Sequence, residues 1–293
     1  MLSQADVDHG VTTSSELAPL AVRGATLKFG GVTALDDVSI TVNDDELLAI
    51  IGPNGAGKTS LLNVTAGFYR PQKGHVELSG KNVTGLRVDQ IARRGLARTF
   101  QGTHLFAGQT VVENIMIGRH MLMKSNVIQA FFQFGPVMRE ESEHREAAEE
   151  IIDFLEIEAI RNRPVGTLGY GLRKRVDLGR ALAQEPSILL MDEPLSALDS
   201  QTRELLMDDL VSLWTRQPFT AVYVTHNLNE AVRLGHQIVV LSRRPGQIRE
   251  IVTLDAPLEE RQFGDAELDA KQKYLWQLMR DEARAADAEL LNV

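Results

Sequence analysis

The stretch Gly-Pro-Asn-Gly-Ala-Gly-Lys-Thr, residues 52–59, matches the pattern G-x-x-x-x-G-K-[ST] at every fixed position. The apolar run Leu47–Ile51 before it predicts a buried strand, and the residues from Thr59 onward predict a helix. Glycines in such a turn let backbone N–H groups converge on phosphate oxygens at a helix N-terminus. This strand–loop–helix context predicts that the chain binds ATP or GTP.

Each residue of the loop has an expected role. Lys58 is expected to reach the β- and γ-phosphates, and the Thr59 hydroxyl is expected to ligate Mg²⁺. The other residues expected to surround the phosphates are Gly52, Pro53, Asn54, Gly55, Ala56, Gly57 and Ser60.

Composition indicates an ordinary globular protein. The 293 residues are 43% hydrophobic and 24% charged, enough for one large core or for a core and a smaller lobe. No apolar run approaches the roughly 20 residues that span a bilayer, and the polar, acidic start of the chain predicts a disordered leader over residues 1–20. The absence of cysteine excludes disulfides and thiol chemistry, and the net charge of −9 argues against a general nucleic-acid binder.

Short apolar strands alternate with helical segments, which predicts an α/β fold with a largely parallel sheet. Four of the strands are continuous apolar runs, as expected where both faces of a sheet are covered. The predicted strands are Ala25–Phe29, Val38–Val42, Leu47–Ile51, His75–Leu78, Leu96–Phe100, Ile188–Met191, Ala221–Thr225 and Ile238–Leu241.

Between the fifth and sixth of these strands the pattern becomes helical. The sequence Thr110-Val111-Val112-Glu113 predicts a helix start with a capping box, and residues 143–156 carry apolar side chains at helical spacing. These features predict a helical subdomain inserted over residues 102–175 of a main domain that spans residues 21–255. The remaining residues, 256–293, are predicted to form a tail with a helix over residues 266–287.

The predicted strand Ile188–Met191 ends in Asp192-Glu193-Pro194, which adds two carboxylates to the phosphate loop. Open α/β sheets bind ligands at the carboxyl ends of their strands, so these side chains are expected beside the loop. Asp192 is expected to support Mg²⁺, and Glu193 to polarise or deprotonate the attacking water.

With these motifs, residues 22–255 resemble the ATP-binding-cassette (ABC) ATPases. The resemblance implies a phosphate-loop core with an antiparallel N-terminal β portion and an inserted helical subdomain. It further implies that Phe29 stacks on adenine, that Gln101 contacts Mg²⁺ and takes part in catalysis, and that His226 touches the γ-phosphate.

Two more segments match family motifs that act across a dimer. Residues 168–172, Leu-Gly-Tyr-Gly-Leu, occupy the signature position, and residues 196–199, Ser-Ala-Leu-Asp, occupy the D-loop. The resemblance implies that ATP lies between the phosphate loop of one chain and the signature of a second, identical or different ATPase subunit. The residues expected to bind nucleotide in these segments are Gly169, Tyr170, Gly171 and Asp199.

The signature departs from the family's common Leu-Ser-Gly-Gly-Gln. Gly169 stands in place of the serine whose hydroxyl meets the γ-phosphate, and Leu172 stands in place of the glutamine. A hydrogen bond to a charged oxygen contributes roughly 1.5–3 kcal/mol. The sequence therefore predicts active but slower hydrolysis.

Two subfamily resemblances occur in one chain. Residues of about 22–190, including Arg98-Thr99-Phe100-Gln101, resemble ATPases of branched-chain amino-acid importers. Residues of about 191–280, including Ser242-Arg243-Arg244-Pro245-Gly246, resemble ATPases of nitrate, sulfonate and taurine importers. The first resemblance covers the lobe that faces the permease, so amino acids or related amides are the expected cargo. A nitrate, sulfonate or taurine importer is the alternative, and an export or lipid-transport ATPase is a more distant one.

The resemblance implies permease subunits as direct partners, a solute-binding protein as an indirect one, no nucleic acid, and a peripheral location on the cytoplasmic face of the membrane. Two segments keep two interpretations each. The apolar, aromatic residues 127–134 predict either a docking ridge for the permease or packing inside the helical lobe. The tail helix either regulates the ATPase or packs on its own domain.

Overall fold

The strands and helices follow in the order typical of an α/β fold. The computed structural model describes residues 18–99, 104–120, 122, 134–196, 198–262 and 264–290, except the side chains of 134–138 and 281–290. Residues 1–17 of the predicted leader lie outside the described residues, and Leu20 is the first residue of a strand. Also outside are Gln101, the predicted strand end Phe100 and the side chains of the aromatic segment 127–134.

The bounds of the elements among the described residues are as follows. The strands are β1 Leu20–Phe29, β2 Val32–Val42, β3 Leu47–Ile51, β4 Lys73–Leu78, β5 Lys81–Asn82, β6 Leu96–Thr99, β7 Ile188–Asp192, β8 Thr220–Val224, β9 Gln237–Leu241 and β10 Ile248–Thr253. The helices are α1 Lys58–Thr65, α2 Val88–Ala92, α3 Val111–Arg119, α4 Phe134–Phe154, α5 Tyr170–Leu182, α6 Ser200–Arg216, α7 Leu228–Leu234 and α8 Ala266–Leu290. Short 3₁₀ helices cover Glu158–Ile160, Val165–Thr167 and Leu258–Glu260.

Two sheets form the core. The antiparallel sheet has the order β2-β1-β4-β5, and the larger sheet has the order β10-β9-β3-β8-β7-β6. The pairs from β9 through β3, β8 and β7 to β6 are parallel, and β10 joins the edge antiparallel. The predicted fold class, a mostly parallel sheet with an antiparallel N-terminal portion, is confirmed.

The continuous apolar run of β3 reflects burial on both faces of the larger sheet. Leu48 and Ile50 pack into the core shared with the antiparallel sheet, whereas Ala49 and Ile51 pack against α7 and α8. Strands with two covered faces need apolar residues at every position, which is why the pattern was readable. The strands β5 and β10 were not predicted, because β5 has only two residues, both polar, and β10 is an edge strand with polar and charged residues among its apolar ones.

The helices between β6 and β7 pack on one another. Helix α3 begins at the predicted capping box, where the Thr110 hydroxyl accepts from the Glu113 amide at 3.3 Å and the Glu113 carboxylate accepts from the Thr110 amide at 2.7 Å. Buried Ile152 and Leu155, on and just after α4, share one core with Val176 of α5. Helix α4 starts earlier than the predicted 143–156.

The tail helix α8 packs on its own domain through its first half. Leu275 is fully buried in the core that contains Val232 of α7 and Val252 of β10. None of the helices that the structure describes combines the length and the apolar content needed to cross a bilayer.

Candidate nucleotide site

The turn between β3 and α1 has a backbone that only glycine adopts easily. Gly57 has φ +88°, and a Cβ atom there would come within 2.8 Å of the Ala34 carbonyl oxygen. Any side chain at this position would be strained by its backbone and would collide with β2. The α1 N-terminus, which begins at Lys58, is therefore held open to an anion.

Lys58 lies buried under the turn, with 7% of its surface exposed. Its ammonium group donates to the Gly52 carbonyl at 2.7 Å and the Pro53 carbonyl at 3.1 Å. Burial lowers the pKa of Lys58, and the nearby Glu193 and Asp192 carboxylates oppose that shift. A phosphate chain in the loop would give this desolvated cation a full negative partner.

Asp192 is the last residue of β7 and is 1% exposed. Its Oδ1 accepts from the Thr59 hydroxyl at 3.4 Å, and its Oδ2 pairs with the Arg98 guanidinium at 2.9 Å. Burial raises the pKa of Asp192, while Arg98 acts in the opposite direction. The two predicted Mg²⁺ ligands of the loop and the strand end are thus adjacent.

Arg98 is a member of this cluster that the sequence analysis did not assign. It lies on β6, and besides Asp192 it donates to the Asn63 side-chain oxygen at 2.6 Å and lies 5.6 Å above the Phe68 ring. The guanidinium thereby ties β6 and β7 to α1. The signal was present, because a charged residue inside the apolar strand Leu-Ala-Arg-Thr requires a buried partner.

Glu193 follows β7 and faces the predicted switch histidine. Its backbone has φ +48°, and its amide donates to the Val224 carbonyl at 2.9 Å, which fixes the turn against β8. His226 Nδ1 lies 3.2 Å from Glu193 Oε1. The Glu193 side chain is 16% exposed and that of His226 is 58% exposed, so the pair lies at the mouth of the site.

A cleft of about 520 Å³ opens above the loop. The residues that line it are Phe29, Val32, Ala34, Asn54, Gly55, Ala56, Gly57, Lys58, Thr59, Ser60, Glu193 and Arg244. Phe29 is 45% exposed and packs edge-to-face on Tyr69 at 5.1 Å between ring centroids, so the cleft presents an accessible aromatic ring. Lys58 and Glu193 line the same cleft.

Arg244 enters the cleft from the turn between β9 and β10, and the sequence analysis gave it no role at this site. The turn is anchored by Gly246, whose amide donates to the Ala34 carbonyl and whose carbonyl accepts from the Asp36 amide, both at 3.0 Å. Only its place in the tertiary structure connects this arginine, far along the chain, with the phosphate loop.

The oxygen donors at the loop suit Mg²⁺ that arrives with a nucleotide. Among the described residues, no group of three or more carboxylate, histidine or cysteine side chains could hold a metal alone. Mg²⁺ is commonly held by one carboxylate, a hydroxyl, water and substrate phosphates. The adjacent Thr59 hydroxyl and Asp192 carboxylate fit that arrangement.

The signature and D-loop residues do not line this cleft. Gly169 is the N-cap of α5, and a Cβ at Gly171 would lie 3.4 Å from Leu198 and 3.5 Å from Thr202. Asp199 caps α6, accepting from the Thr202 amide at 2.9 Å. Tyr170 lies beside Lys174. The N-termini of α5 and α6 therefore form a second surface, and Gln101 lies outside the described residues.

Comparison with known proteins agrees with this geometry. The family model described as ABC transporter matches residues 35–196. The high-affinity branched-chain amino acid transport ATP-binding protein BraF of Pseudomonas aeruginosa is 33% identical over 238 residues, which cover 79% of this chain and 93% of that protein. The taurine import ATP-binding protein TauB of Jannaschia sp. is 35% identical over 238 residues, covering 79% of this chain and 80% of that protein.

Among solved structures, the dimeric ATP-binding cassette MJ0796 in a post-hydrolysis state bound to ADP and Pi matches with a TM-score of 0.68 at 28% identity. The match covers 81% of this chain and 99% of that one. Both subfamily resemblances predicted from the sequence are confirmed by the relatives. Because the family model spans more than half of the chain, and the whole phosphate loop and Glu193 lie within the residues it matches, the chain belongs to the ABC transporter family.

Proposed function

We propose that this chain is the ATP-binding and ATP-hydrolysing subunit of an importer for amino acids or related amides, on the cytoplasmic face of the membrane. The observation that carries the proposal is the cleft lined by the Lys58 loop and Glu193, with Asp192 bonded to Thr59 beneath the loop and His226 lying 3.2 Å from Glu193. The branched-chain amino-acid relative supports this cargo. The taurine relative, at similar identity, favours a sulfonate importer as the second candidate.

The residues divide the chemistry between them. Lys58 and the loop amides bind the phosphates, and Phe29 stacks on the base. Thr59, Asp192 and Gln101 would hold Mg²⁺, which would neutralise charge that develops on the phosphates. Glu193 accepts the proton of the attacking water, and His226, which lies 3.2 Å from Glu193, orients the γ-phosphate.

A second ATPase subunit completes the site in this proposal. The N-terminus of α5 at Gly169–Gly171 lies outside the chain's own cleft, and the dimeric cassette with ADP and Pi supports a facing copy. A helix N-terminus with free amides attracts phosphate. The nucleotide would thus be held by the loop of one subunit and the α5 N-terminus of the other.

The permease is proposed to dock on a groove of about 690 Å³ between α3 and α4. Phe106 lines this groove with 54% of its surface exposed, and Val112 and Met116 lie beside it. An exposed apolar side chain in a groove with a polar rim is typical of a partner site. The groove extends the expectation of a docking site to residues outside the segment 127–134.

The test is reconstitution of the chain with the permease and the solute-binding protein of its transporter. ATP hydrolysis should rise severalfold when a branched-chain amino acid or amide is supplied, and taurine should have no effect. Stimulation by taurine alone would establish the second candidate. No stimulation and no co-purification with the permease would contradict the importer proposal.

A matched pair of variants tests the docking groove in the same experiment. Phe106→Asp should abolish co-purification because it places a charge at the apolar contact. Trp276→Asp, on α8, removes an aromatic side chain that is equally exposed at 52% and should leave the complex intact. Equal behaviour of the two variants would exclude the groove.

Gly169→Ser should raise the rate of hydrolysis by about tenfold or more. A Cβ at Gly169 meets no atom within 4 Å, and the residue has extended backbone angles, so serine fits without strain. Its hydroxyl would restore the hydrogen bond to the γ-phosphate across the dimer. Gly169→Ala adds the Cβ without the hydroxyl and should show no gain in steady-state phosphate release. A lower rate for serine would indicate a site adapted to glycine.

A further inference from the structure

A buried carboxylate on α7 has no part in the chemistry proposed above. Glu230 is 3% exposed. Its Oε2 accepts from the Tyr223 hydroxyl at 2.9 Å and from the Thr225 hydroxyl at 2.6 Å, and its Oε1 lies 3.4 Å from Arg203 Nε. Burial of such a charge is tolerated only where hydrogen bonds and an opposite charge surround it, and Glu230 has both.

The Thr225 hydroxyl connects this carboxylate to the backbone on both sides of His226. While it donates to Glu230, its oxygen accepts from the Asn227 amide at 3.0 Å. The Asn227 side chain in turn caps α7 by accepting from the Asn229 amide at 2.9 Å. The neighbours of His226 before and after it in the chain are therefore held by one chain of hydrogen bonds that ends at Glu230.

Arg203 connects the same carboxylate to the D-loop segment. Its Nη2 donates to the Leu198 carbonyl at 2.7 Å, while its Nε lies 3.4 Å from the Glu230 carboxylate. The Leu198 side chain lies 3.4 Å from the position that a Cβ of Gly171 would occupy. The Arg203 guanidinium thus contacts the D-loop segment, which lies beside the α5 N-terminus. It also contacts the Glu230 carboxylate, to which the turn that carries His226 is bonded.

We propose that Arg203 and Glu230 are a positioning pair that holds His226 against Glu193 at the place set by the D-loop segment. This inference rests on the proposed ATP hydrolysis. Neither residue touches the nucleotide cleft, so the pair acts through the geometry of His226. Small displacements of a catalytic group reduce the rate strongly without weakening substrate binding.

The test is Arg203→Lys in the full-length chain, assayed with Mg²⁺ and ATP. Lysine keeps the charge but lacks the planar fork that reaches a carbonyl and a carboxylate together. We expect kcat to fall about tenfold while the KM for ATP changes less than about twofold. Glu230→Gln keeps the size and an acceptor for the buried hydroxyls, and should show the same split between kcat and KM.

A double-mutant cycle separates positioning from general stability. In a His226→Ala background, Arg203→Lys should cause no further loss, because its route of action has been removed. The matched control is Arg233→Lys on α7. Arg233 also donates to a carbonyl, that of Leu258 at 2.6 Å, and pairs with a carboxylate, that of Asp208 at 3.0 Å. Neither of these contacts reaches the turn that carries His226. Arg233→Lys should leave kcat unchanged.

Three results would overturn the inference: wild-type kcat in Arg203→Lys, an equal loss in the His226→Ala background, or an equal loss in Arg233→Lys. If His226→Ala itself hydrolyses ATP at the wild-type rate, both the role of His226 in the proposed function and this inference are wrong. If His226→Ala is impaired and Arg203→Lys is not, only the inference fails.

Discussion

Glu193→Gln should lower steady-state ATP hydrolysis by about 10²–10³-fold while ATP binding persists, because an amide cannot accept the proton of the attacking water. Glutamine keeps the size of the side chain and can still hydrogen-bond with His226, whose Nδ1 lies 3.2 Å from Glu193 Oε1 in the wild type. The substitution leaves Lys58 and the loop, which are proposed to bind the phosphates, unchanged. ATP should therefore accumulate in a closed dimer, which light scattering after gel filtration would detect alongside phosphate release.

Glu185→Gln is the control for this result. Glu185 also has a left-handed backbone, with φ +49° against +48° for Glu193, and its side chain pairs with that of Arg119 at 2.8 Å. Glu185 lies outside the cleft, so the Glu185→Gln variant should hydrolyse ATP at the wild-type rate. Normal turnover in Glu193→Gln would show that another group activates the water.

Arg98→Met should destabilise the fold by about 3 kcal/mol, because it leaves the Asp192 carboxylate buried without its cation. The exposed fractions of the two side chains are 7% and 1%, so water cannot replace the lost contact. Methionine preserves part of the apolar contact with Phe68. Urea unfolding without nucleotide or Mg²⁺ measures the change in the free energy of unfolding.

Arg87→Met is the matched control, since Arg87 pairs with Asp89 at 2.8 Å with both side chains largely exposed. The free energy of unfolding should stay close to that of the wild type, because exposed ion pairs contribute little. The double change Arg98→Met with Asp192→Leu should recover most of the stability lost by Arg98→Met alone. Equal losses at both arginines, or no recovery, would contradict the assigned cause.

Residues whose chemistry depends on local order along the chain can be predicted from the sequence. The phosphate loop was readable because a strand, a glycine turn and a helix start adjoin within about twenty residues. The apolar strands of the parallel sheet were readable because burial on both faces requires apolar residues at every position. The edge strand β10 and the two-residue strand β5 were not, since neither has such a pattern.

Residues that act through distant partners could not be predicted from the sequence. Arg98 stands 94 residues from Asp192, and its role depends on the parallel pairing of β6 with β7. Arg244 reaches the cleft only because Gly246 anchors its turn on Ala34. Spacing along the chain carries no information about either contact.

By itself the sequence determined the nucleotide chemistry, the fold class and the family resemblance, because these depend on short motifs in a fixed order. Only the tertiary structure decided which charges meet. Buried charges must be paired, and packing of the sheet and helices chooses their partners: Arg98 for Asp192, and Arg203 for Glu230. The same packing separates the N-terminus of α5 from the chain's own cleft. In the proposed site, the α5 N-terminus must therefore come from a second subunit.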